Sequence, residues 1–201
     1  MSNKVYLVDD EPDLRRAIER LLRAEGFKVE SHGSALEFLA RLPAEADGCV
    51  VMDLAMPGLD GLEAQERLVA ASTRWPVVFL TGRGDIRSSV RAMKAGAVDF
   101  LTKPVKAEEL IASVGLGLAR VREVADLRAR YAQLTPRERE VMEHVIAGRL
   151  NKVIAAELGT TEQTIKVHRS RVMEKLGIRS VAALVTAAQR LGVSPAGGEA
   201  D

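Results

Sequence analysis

Several features are scarce in this sequence, and each scarcity argues against a class of protein. Its 201 residues hold one cysteine, Cys49, which excludes an internal disulfide framework and fits a reducing cytoplasm. Three histidines without paired cysteines argue against a structural zinc site. Aromatic residues make up only 3%, so the core must be built from aliphatic side chains. The first apolar run reaches Asp9 too early for a signal peptide or a membrane span.

The net charge of +1 conceals an asymmetry along the chain. Through Val121 there are 16 Lys and Arg against 18 Asp and Glu, whereas the remainder has 13 against 10. From Leu158 to Ser180, five basic residues stand against two acidic ones. A mixed charged helix is usually a solvated surface, but such a local excess of positive charge also suits contact with a polyanion.

The first 120 residues alternate short apolar runs with longer helical patterns. The runs KVYLVDD, FKVESH, DGCVVMD, WPVVFLT and VDFLTKP predict five strands, most of them apolar enough to be covered on both faces. Five such βα units predict an α/β fold with a doubly wound, five-stranded parallel sheet. After Val105 the pattern is wholly helical, and a new helix is predicted at Pro136, where Thr135 and Glu138 can form a capping box.

Acidic, hydroxyl and amino groups stand at the ends of four predicted strands. The first strand ends in Asp9 and Asp10, the third in Asp53, the fourth in Thr81, and the fifth runs into Lys103. In a doubly wound sheet these ends meet at one edge. Three crowded carboxylates repel one another, and Mg²⁺, which prefers oxygen ligands, relieves that repulsion. With Lys103 the site becomes near-neutral, and one carboxylate is free to attack a phosphoryl group.

Single aspartates at strand ends also serve as turn and capping residues, but the local sequences add a resemblance. LVDDEPDLR, MDLAMPGLDG, LTGRGD and MKAGAVDFLTKP resemble the receiver domain of two-component response regulators, from Lys4 to about Ala119. The resemblance implies Asp53 as the phosphoacceptor and Mg²⁺ as the cofactor. The implied metal contacts are Asp9, Asp10, Asp53 and the backbone carbonyl of Ala55, and the implied phosphoryl-stabilising and switch residues are Thr81, Lys103 and Phe100.

The segment NKVIAAELGTTEQTIKVHRSRVMEKLG predicts two helices joined by a tight turn. Thr160 and Gln163 are a candidate capping box for the second helix, expected over about 161–176. Helical periodicity directs Ile165, Val172 and Leu176 inward, and Gln163, Lys166, Val167, Ser170, Arg171 and Glu174 outward. An exposed Val167 among cations suits contact with a thymine methyl group. Helix-turn-helix geometry alone is weaker support, because it also occurs in proteins that do not bind DNA.

From Leu134 to about Leu191 the chain resembles the LuxR-type (NarL/FixJ-like) output domain. The motifs that carry this resemblance are LTPREREV, NKVIAAELG, TIKVHRSRVMEKLG and SVAALVTAAQRLG. It implies an all-α, four-helix helix-turn-helix domain whose third helix enters the DNA major groove and whose fourth often pairs two subunits. Arg169 is expected to be structural, paired with an acid such as Glu138. The implied DNA contacts are Thr164, Lys166, Val167, Ser170 and Arg171.

The two resemblances together imply an order of segments. We expect a receiver at 1–119, a helical linker at 120–133, a LuxR-type DNA-binding domain at 134–192 and a disordered tail at 193–201. The expected protein is a cytoplasmic transcription regulator that a sensor histidine kinase phosphorylates on aspartate. Its other partner is promoter DNA, which it binds as a homodimer when phosphorylated, and no membrane partner is expected.

Two alternatives use the same residues differently. A phosphatase of the haloacid-dehalogenase type also has an aspartate nucleophile, but it needs a second acid two residues later, where this sequence has Ala55. A receiver acting only as a protein-interaction relay would not need the C-terminal domain. We therefore expect no dedicated enzyme, only slow hydrolysis of the protein's own aspartyl phosphate.

Overall fold

The computed structural model describes residues 3–42, 48–70, 75–82 and 86–197, without the side chains of 86–89. The chain divides into two units, Met1–Arg122 and Glu123–Asp201. Each unit has a hydrophobic core of its own. Among the helices described, none is long and apolar enough to cross a membrane.

The first unit alternates strands and helices, as predicted. Its strands are β1 (Lys4–Val8), β2 (Lys28–His32), β3 (Gly48–Asp53), β4 (Val77–Thr81) and β5 (Asp99–Thr102). Between them lie α1 (Pro12–Ala24), α2 (Ala35–Ala40), α3 (Gly61–Ala70) and α4 (Ile86–Lys94), and α5 (Ala107–Ala132) follows β5. All neighbouring strands pair in parallel, in the order β2-β1-β3-β4-β5. The predicted doubly wound sheet is therefore confirmed.

Helices cover both faces of this sheet because the central strands are apolar on both sides. Tyr6 and Val8 of β1 belong to a core layer with α2, α3 and α4, whereas Val5 and Leu7 belong to a layer with α1 and α5. A side chain at Gly117 of α5 would overlap the sulfur of Cys49 in β3. Glycine at this position therefore lets the helix lie directly on the sheet.

The second unit is helical. It contains the end of α5, followed by α6 (Pro136–Ile146), α7 (Asn151–Glu157), α8 (Glu162–Leu176) and α9 (Val181–Leu191). The predicted capping box at the start of α6 is present, because the Thr135 side chain accepts from the Glu138 amide and Glu138 accepts from the Thr135 amide. Leu127 and Tyr131, both within the predicted linker, pack against the core that α6 to α9 form.

Five residues of the predicted disordered tail, 193–197, are described, and two of them, Val193 and Ala196, contact the helical part of the second unit. Val193 packs against its core, and the amide of Ala196 donates to the carbonyl of Glu143 at 3.0 Å. Arg149 donates to the Ala196 carbonyl at 3.2 Å. These contacts follow from the left-handed turn at Gly192, whose φ of 73° redirects the chain after α9. Residues 198–201 lie outside the described part of the chain.

Candidate functional site

The carboxyl ends of the central strands bring together the groups that the sequence pattern singled out. Asp9 follows β1, Asp53 ends β3 and Thr81 ends β4, and all three side chains are buried. Lys103 follows β5, and its amide donates to the Thr81 carbonyl at 2.6 Å. The peptide bond between Lys103 and Pro104 is cis. Parallel pairing of neighbouring strands thus places one chemical site at one edge of the sheet.

The ammonium group of Lys103 lies between three carboxylates. It donates to Asp53 Oδ2 at 2.9 Å, to Asp9 Oδ2 at 3.1 Å and to Glu11 Oε1 at 3.1 Å. The partners differ in exposure, since the side chains of Asp9 and Asp53 are 0% and 5% exposed and that of Glu11 is 63% exposed. Lysine has three N–H donors, so this geometry uses all of them.

Burial and charge act in opposite directions on the ionisable groups of this site. Burial raises the pKa of Asp9 above its usual value, although hydrogen bonds from the Glu11 amide and from Lys103 oppose the rise. Burial alone would lower the pKa of Lys103. Hydrogen bonds to Asp53 and Asp9 outweigh that effect and hold its pKa above the usual value. Lys103 is therefore a permanent cation among carboxylates.

The same edge of the sheet offers a set of oxygen ligands. Carboxylate oxygens of Asp9, Asp10 and Asp53 lie within 4.8 Å of one another. Asp10 is partly exposed, and its carboxylate has no hydrogen-bond or ion-pair partner in the part of the chain that the structure describes. A hard divalent cation prefers this donor chemistry, so the residues present fit a metal site.

The remaining predicted receiver residues lie around this cluster. Ala55 is exposed, and its amide donates to Asp53 Oδ1 at 3.3 Å. Phe100 is partly buried in β5, and its ring centroid lies 6.3 Å from that of Phe79 in β4. Phe100 thus stands beside the strand that Thr81 ends.

Of the three carboxylates that Lys103 contacts in the described structure, Glu11 was not predicted from the sequence. It directly follows Asp9 and Asp10, so the run of three acids was a signal that pointed to it. Glu11 occupies the N-cap position of α1, yet its side chain makes no capping hydrogen bond and reaches Lys103 instead. Sequence alone leaves that choice between two partners open.

A second candidate site lies on α8, which begins where the sequence predicted but has a different N-cap residue. Thr161, not Thr160, is the N-cap, and its hydroxyl accepts from the Thr164 amide at 3.2 Å. The Thr160–Gln163 capping box was therefore wrong by one position, because adjacent threonines fit the same pattern. The hydroxyls of Thr161 and Thr164 also lie 2.9 Å apart, so Thr164 lies at the first turn of the helix as expected.

The two faces of α8 differ as predicted. Ile165, Val172 and Leu176 are buried at 0–1% exposure. Lys166, Val167, Ser170 and Arg171 are exposed, with Val167 at 40%. The amino group of Lys166 and the guanidinium of Arg171 make no ion pair or hydrogen bond with any residue that the structure describes. This face combines free positive charge with an exposed aliphatic group.

Arg169 has a different partner from the one expected. It donates to Asn151 Oδ1 at 3.1 Å and so joins α8 to α7. Glu138 instead accepts from Lys175 Nζ at 2.6 Å. The buried Glu138 carboxylate lies near the C-terminal end of α8, where Lys175 rather than Arg169 can reach it. The expected structural role of Arg169 is thus met through an amide and not through an acid.

Known proteins resemble the chain over both units. Residues 5–115 match the response regulator receiver domain, and residues 132–188 match the luxR family of bacterial regulatory proteins. The chain belongs to the two-component response regulators. These matches favour a transcription regulator over both the phosphatase and the relay-only alternatives.

Individual response regulators match over nearly their whole length. Nodulation protein W of Bradyrhizobium diazoefficiens is 41% identical, over 94% of this chain and 87% of its own. Transcriptional regulatory protein FixJ of the same species is also 41% identical, over 94% and 96%. Among solved structures, response regulator StyR has a TM-score of 0.57 at 43% identity, covering 93% of this chain and 98% of its own. Full-length FixJ from B. japonicum has a TM-score of 0.55 at 41% identity, covering 94% and 97%.

Membership of this family defines the protein's role. The response regulator joins a receiver to a LuxR-type DNA-binding domain, and it regulates transcription under the control of phosphorylation. The family indicates a histidine kinase and DNA as its partners.

Proposed function

We propose that Asp53 of this response regulator accepts a phosphoryl group from a sensor histidine kinase. In that step the bond between phosphorus and the donor breaks, and a bond forms between phosphorus and a carboxylate oxygen of Asp53. The observation that carries the proposal is the position of Asp53, whose Oδ2 lies 2.9 Å from Lys103 Nζ and beside Asp9 and Asp10. Lys103 and Thr81 bind phosphoryl oxygens of the product, and Phe100 repacks as Thr81 moves.

The cofactor that fits this donor set is Mg²⁺. Asp9, Asp10, Asp53 and the backbone carbonyl of Ala55 would hold it. When bound, it supplies positive charge that screens the carboxylates and stabilises the charge on the transferred group. Slow hydrolysis of the aspartyl phosphate by water ends the signal, and no further reaction is assigned to the protein.

We propose further that α8 reads the DNA major groove. Lys166, Val167 and Ser170 face base edges, whereas Thr164 and Arg171 contact the phosphate backbone. The support is the exposed face of α8, where Val167 lies between cations without partners among the described residues. One helix reads few base pairs, so tight binding needs two subunits on a two-fold site. Phosphorylation favours this dimer, and the protein acts in the cytoplasm.

The segments keep their predicted order in this proposal. The receiver is 1–119, the linker 120–133, the DNA-binding domain 134–192 and the tail 193–201. The continuous helix α5, Ala107–Ala132, supports a helical linker.

A labelling experiment tests the phosphoacceptor. The protein is incubated with radiolabelled acetyl phosphate, with Mg²⁺ or with EDTA, and Asp53→Asn is compared with the natural sequence. We expect label only with Asp53 and Mg²⁺, because asparagine keeps the shape but lacks the nucleophile. Equal labelling of Asp53→Asn would contradict the assignment of the site, and labelling unaffected by EDTA would contradict the metal.

A further inference from the structure

Glu11 and Lys103 form a contact that the proposed phosphorylation would have to change. The three N–H donors of Lys103 already have three carboxylate acceptors, at 2.9 Å from Asp53, 3.1 Å from Asp9 and 3.1 Å from Glu11. A phosphoryl oxygen that binds Lys103 must therefore replace one of them.

The three acceptors are not equally easy to replace. Asp9 is fully buried, and its Oδ1 accepts from the Glu11 amide at 2.8 Å, so its carboxylate is held from both sides. Asp53 is buried and carries the phosphoryl group itself in the proposed product. Glu11 is 63% exposed, and its carboxylate has no partner other than Lys103 among the residues that the structure describes. Water can solvate Glu11 when it leaves, which it cannot do for the other two.

Charge favours the same replacement. Asp9, Asp10, Glu11 and Asp53 with Lys103 carry a formal charge of −3, so a bound divalent cation still leaves −1. A phosphoryl group brings more negative charge to this site. Moving the Glu11 carboxylate into solvent is a way to reduce the repulsion without breaking a buried contact.

We propose that Glu11 is a displaceable partner of Lys103 that occupies the place of a phosphoryl oxygen until phosphorylation. The inference rests on the proposed function of Asp53. Glu11 is a positioning residue, because it acts through Lys103 and not on the reacting atoms. It competes with the phosphoryl group for Lys103, so the site binds that group more weakly than it would without Glu11.

The test uses Glu11→Gln in the full-length protein, with Asp13→Asn as a matched control. Asp13 loses the same charge from the first turn of α1, but its side chain is 95% exposed and pairs with Arg16, not with Lys103. Calorimetry measures binding of Mg²⁺ alone, and then of beryllium fluoride, a phosphoryl analogue, at saturating Mg²⁺. We expect Glu11→Gln to bind beryllium fluoride about two- to five-fold more tightly than the control, the effect of one partly exposed ion pair. Binding of Mg²⁺ should be weakened by no more than about the same two- to five-fold, because Glu11 adds charge near the metal ligands without being one of them.

Three results would overturn the inference or its basis, and they can be told apart. Equal beryllium fluoride binding by Glu11→Gln and Asp13→Asn means that Glu11 does not compete for Lys103. Mg²⁺ binding that Glu11→Gln weakens well beyond about five-fold relative to the control means that Glu11 is a metal contact instead. Failure of the natural protein to bind beryllium fluoride with Mg²⁺ would remove the proposed function itself.

Discussion

The receiver site and the exposed face of α8 both contain cationic side chains, but they differ in whether the fold provides those cations with acidic partners. In the receiver, Lys103 has three carboxylate partners from its own chain. On α8, Lys166 and Arg171 point into solvent with no acidic partner in the described structure. A cation that the fold itself neutralises supports the fold, whereas a cation left open is available to an anion from outside. Whether a cation is paired within its own chain therefore distinguishes the receiver site from the binding surface on α8.

The largest effect should follow removal of the neutralised cation. Lys103→Met leaves buried Asp9 and Asp53 without their ammonium partner, so the receiver should lose roughly 3 kcal/mol of unfolding free energy in EDTA. Added Mg²⁺ should restore part of that loss, because it replaces the missing positive charge. Urea unfolding with and without Mg²⁺ measures both. A loss below about 1 kcal/mol with no response to Mg²⁺ would mean that the carboxylates do not depend on Lys103.

A buried pair in the second unit should have the next largest effect. Glu138 is 2% exposed and accepts from Lys175 and from the Thr135 amide. Burial alone would raise its pKa, but these hydrogen bonds outweigh burial and hold the pKa below its ordinary value of 4.5. Glu138→Gln should therefore cost about 2 kcal/mol at neutral pH.

The same pair predicts a pH dependence. A carboxylate with a lowered pKa in the folded state stabilises the protein above pH 4.5 and loses that contribution as the pH falls through the folded pKa. The difference between the natural protein and Glu138→Gln should shrink in that acidic range. Hydrogen exchange of α6 amides at several pH values measures it. A difference that does not change with pH would show that the charge of Glu138 is not what stabilises α6.

The smaller effects concern the open face of α8. Val167→Ala and Lys166→Ala should each reduce the difference in binding free energy between a selected site and random duplex. We expect a reduction of about 1 kcal/mol, which is at the low end of the range for loss of one base contact. Arg179→Ala, beyond the end of α8, should weaken binding to the selected site and to random duplex alike. It should also lower the slope of the logarithm of the binding constant against the logarithm of salt concentration by about one. Binding at several salt concentrations separates the two behaviours. Unchanged discrimination in Lys166→Ala and Val167→Ala would exclude α8 as the reader.

The cations of α8 should differ most from Lys103 of the receiver in their contribution to folding stability. Because Lys166 has no partner in the described structure, Lys166→Ala should change the unfolding free energy by less than about 0.5 kcal/mol. Lys103→Met should exceed it several-fold under the same conditions. Similar losses in the two variants would contradict the comparison.

The sequence pattern predicted the strands and the site at their carboxyl ends. It did not predict which hydrogen-bond partners the long side chains select. Parallel strands force their carboxyl ends to one edge, so Asp9, Asp53 and Lys103 could be brought together from the apolar runs alone. The contact of Arg169 with Asn151 and that of Lys103 with Glu11 could not be predicted, because a long side chain can reach several acceptors and its rotamer and local packing decide among them. In the structure, Asn151 accepts from Arg169 and Glu11 accepts from Lys103, each at 3.1 Å.

The contacts of the last turn of α5 determine where the DNA-binding unit should be cut for a domain exchange. Arg130 donates to the carbonyl of Leu176, the last residue of α8, and a side chain at Gly177 would lie 2.5 Å from its guanidinium. Lys175 of α8 in turn donates to the carbonyl of Gln133. A chimaera that grafts this DNA-binding unit onto another receiver and begins at Leu134 would discard Arg130 together with the core residues Leu127 and Tyr131. A junction placed at Glu123 would transplant α8 with the helical turn that holds its C-terminal end.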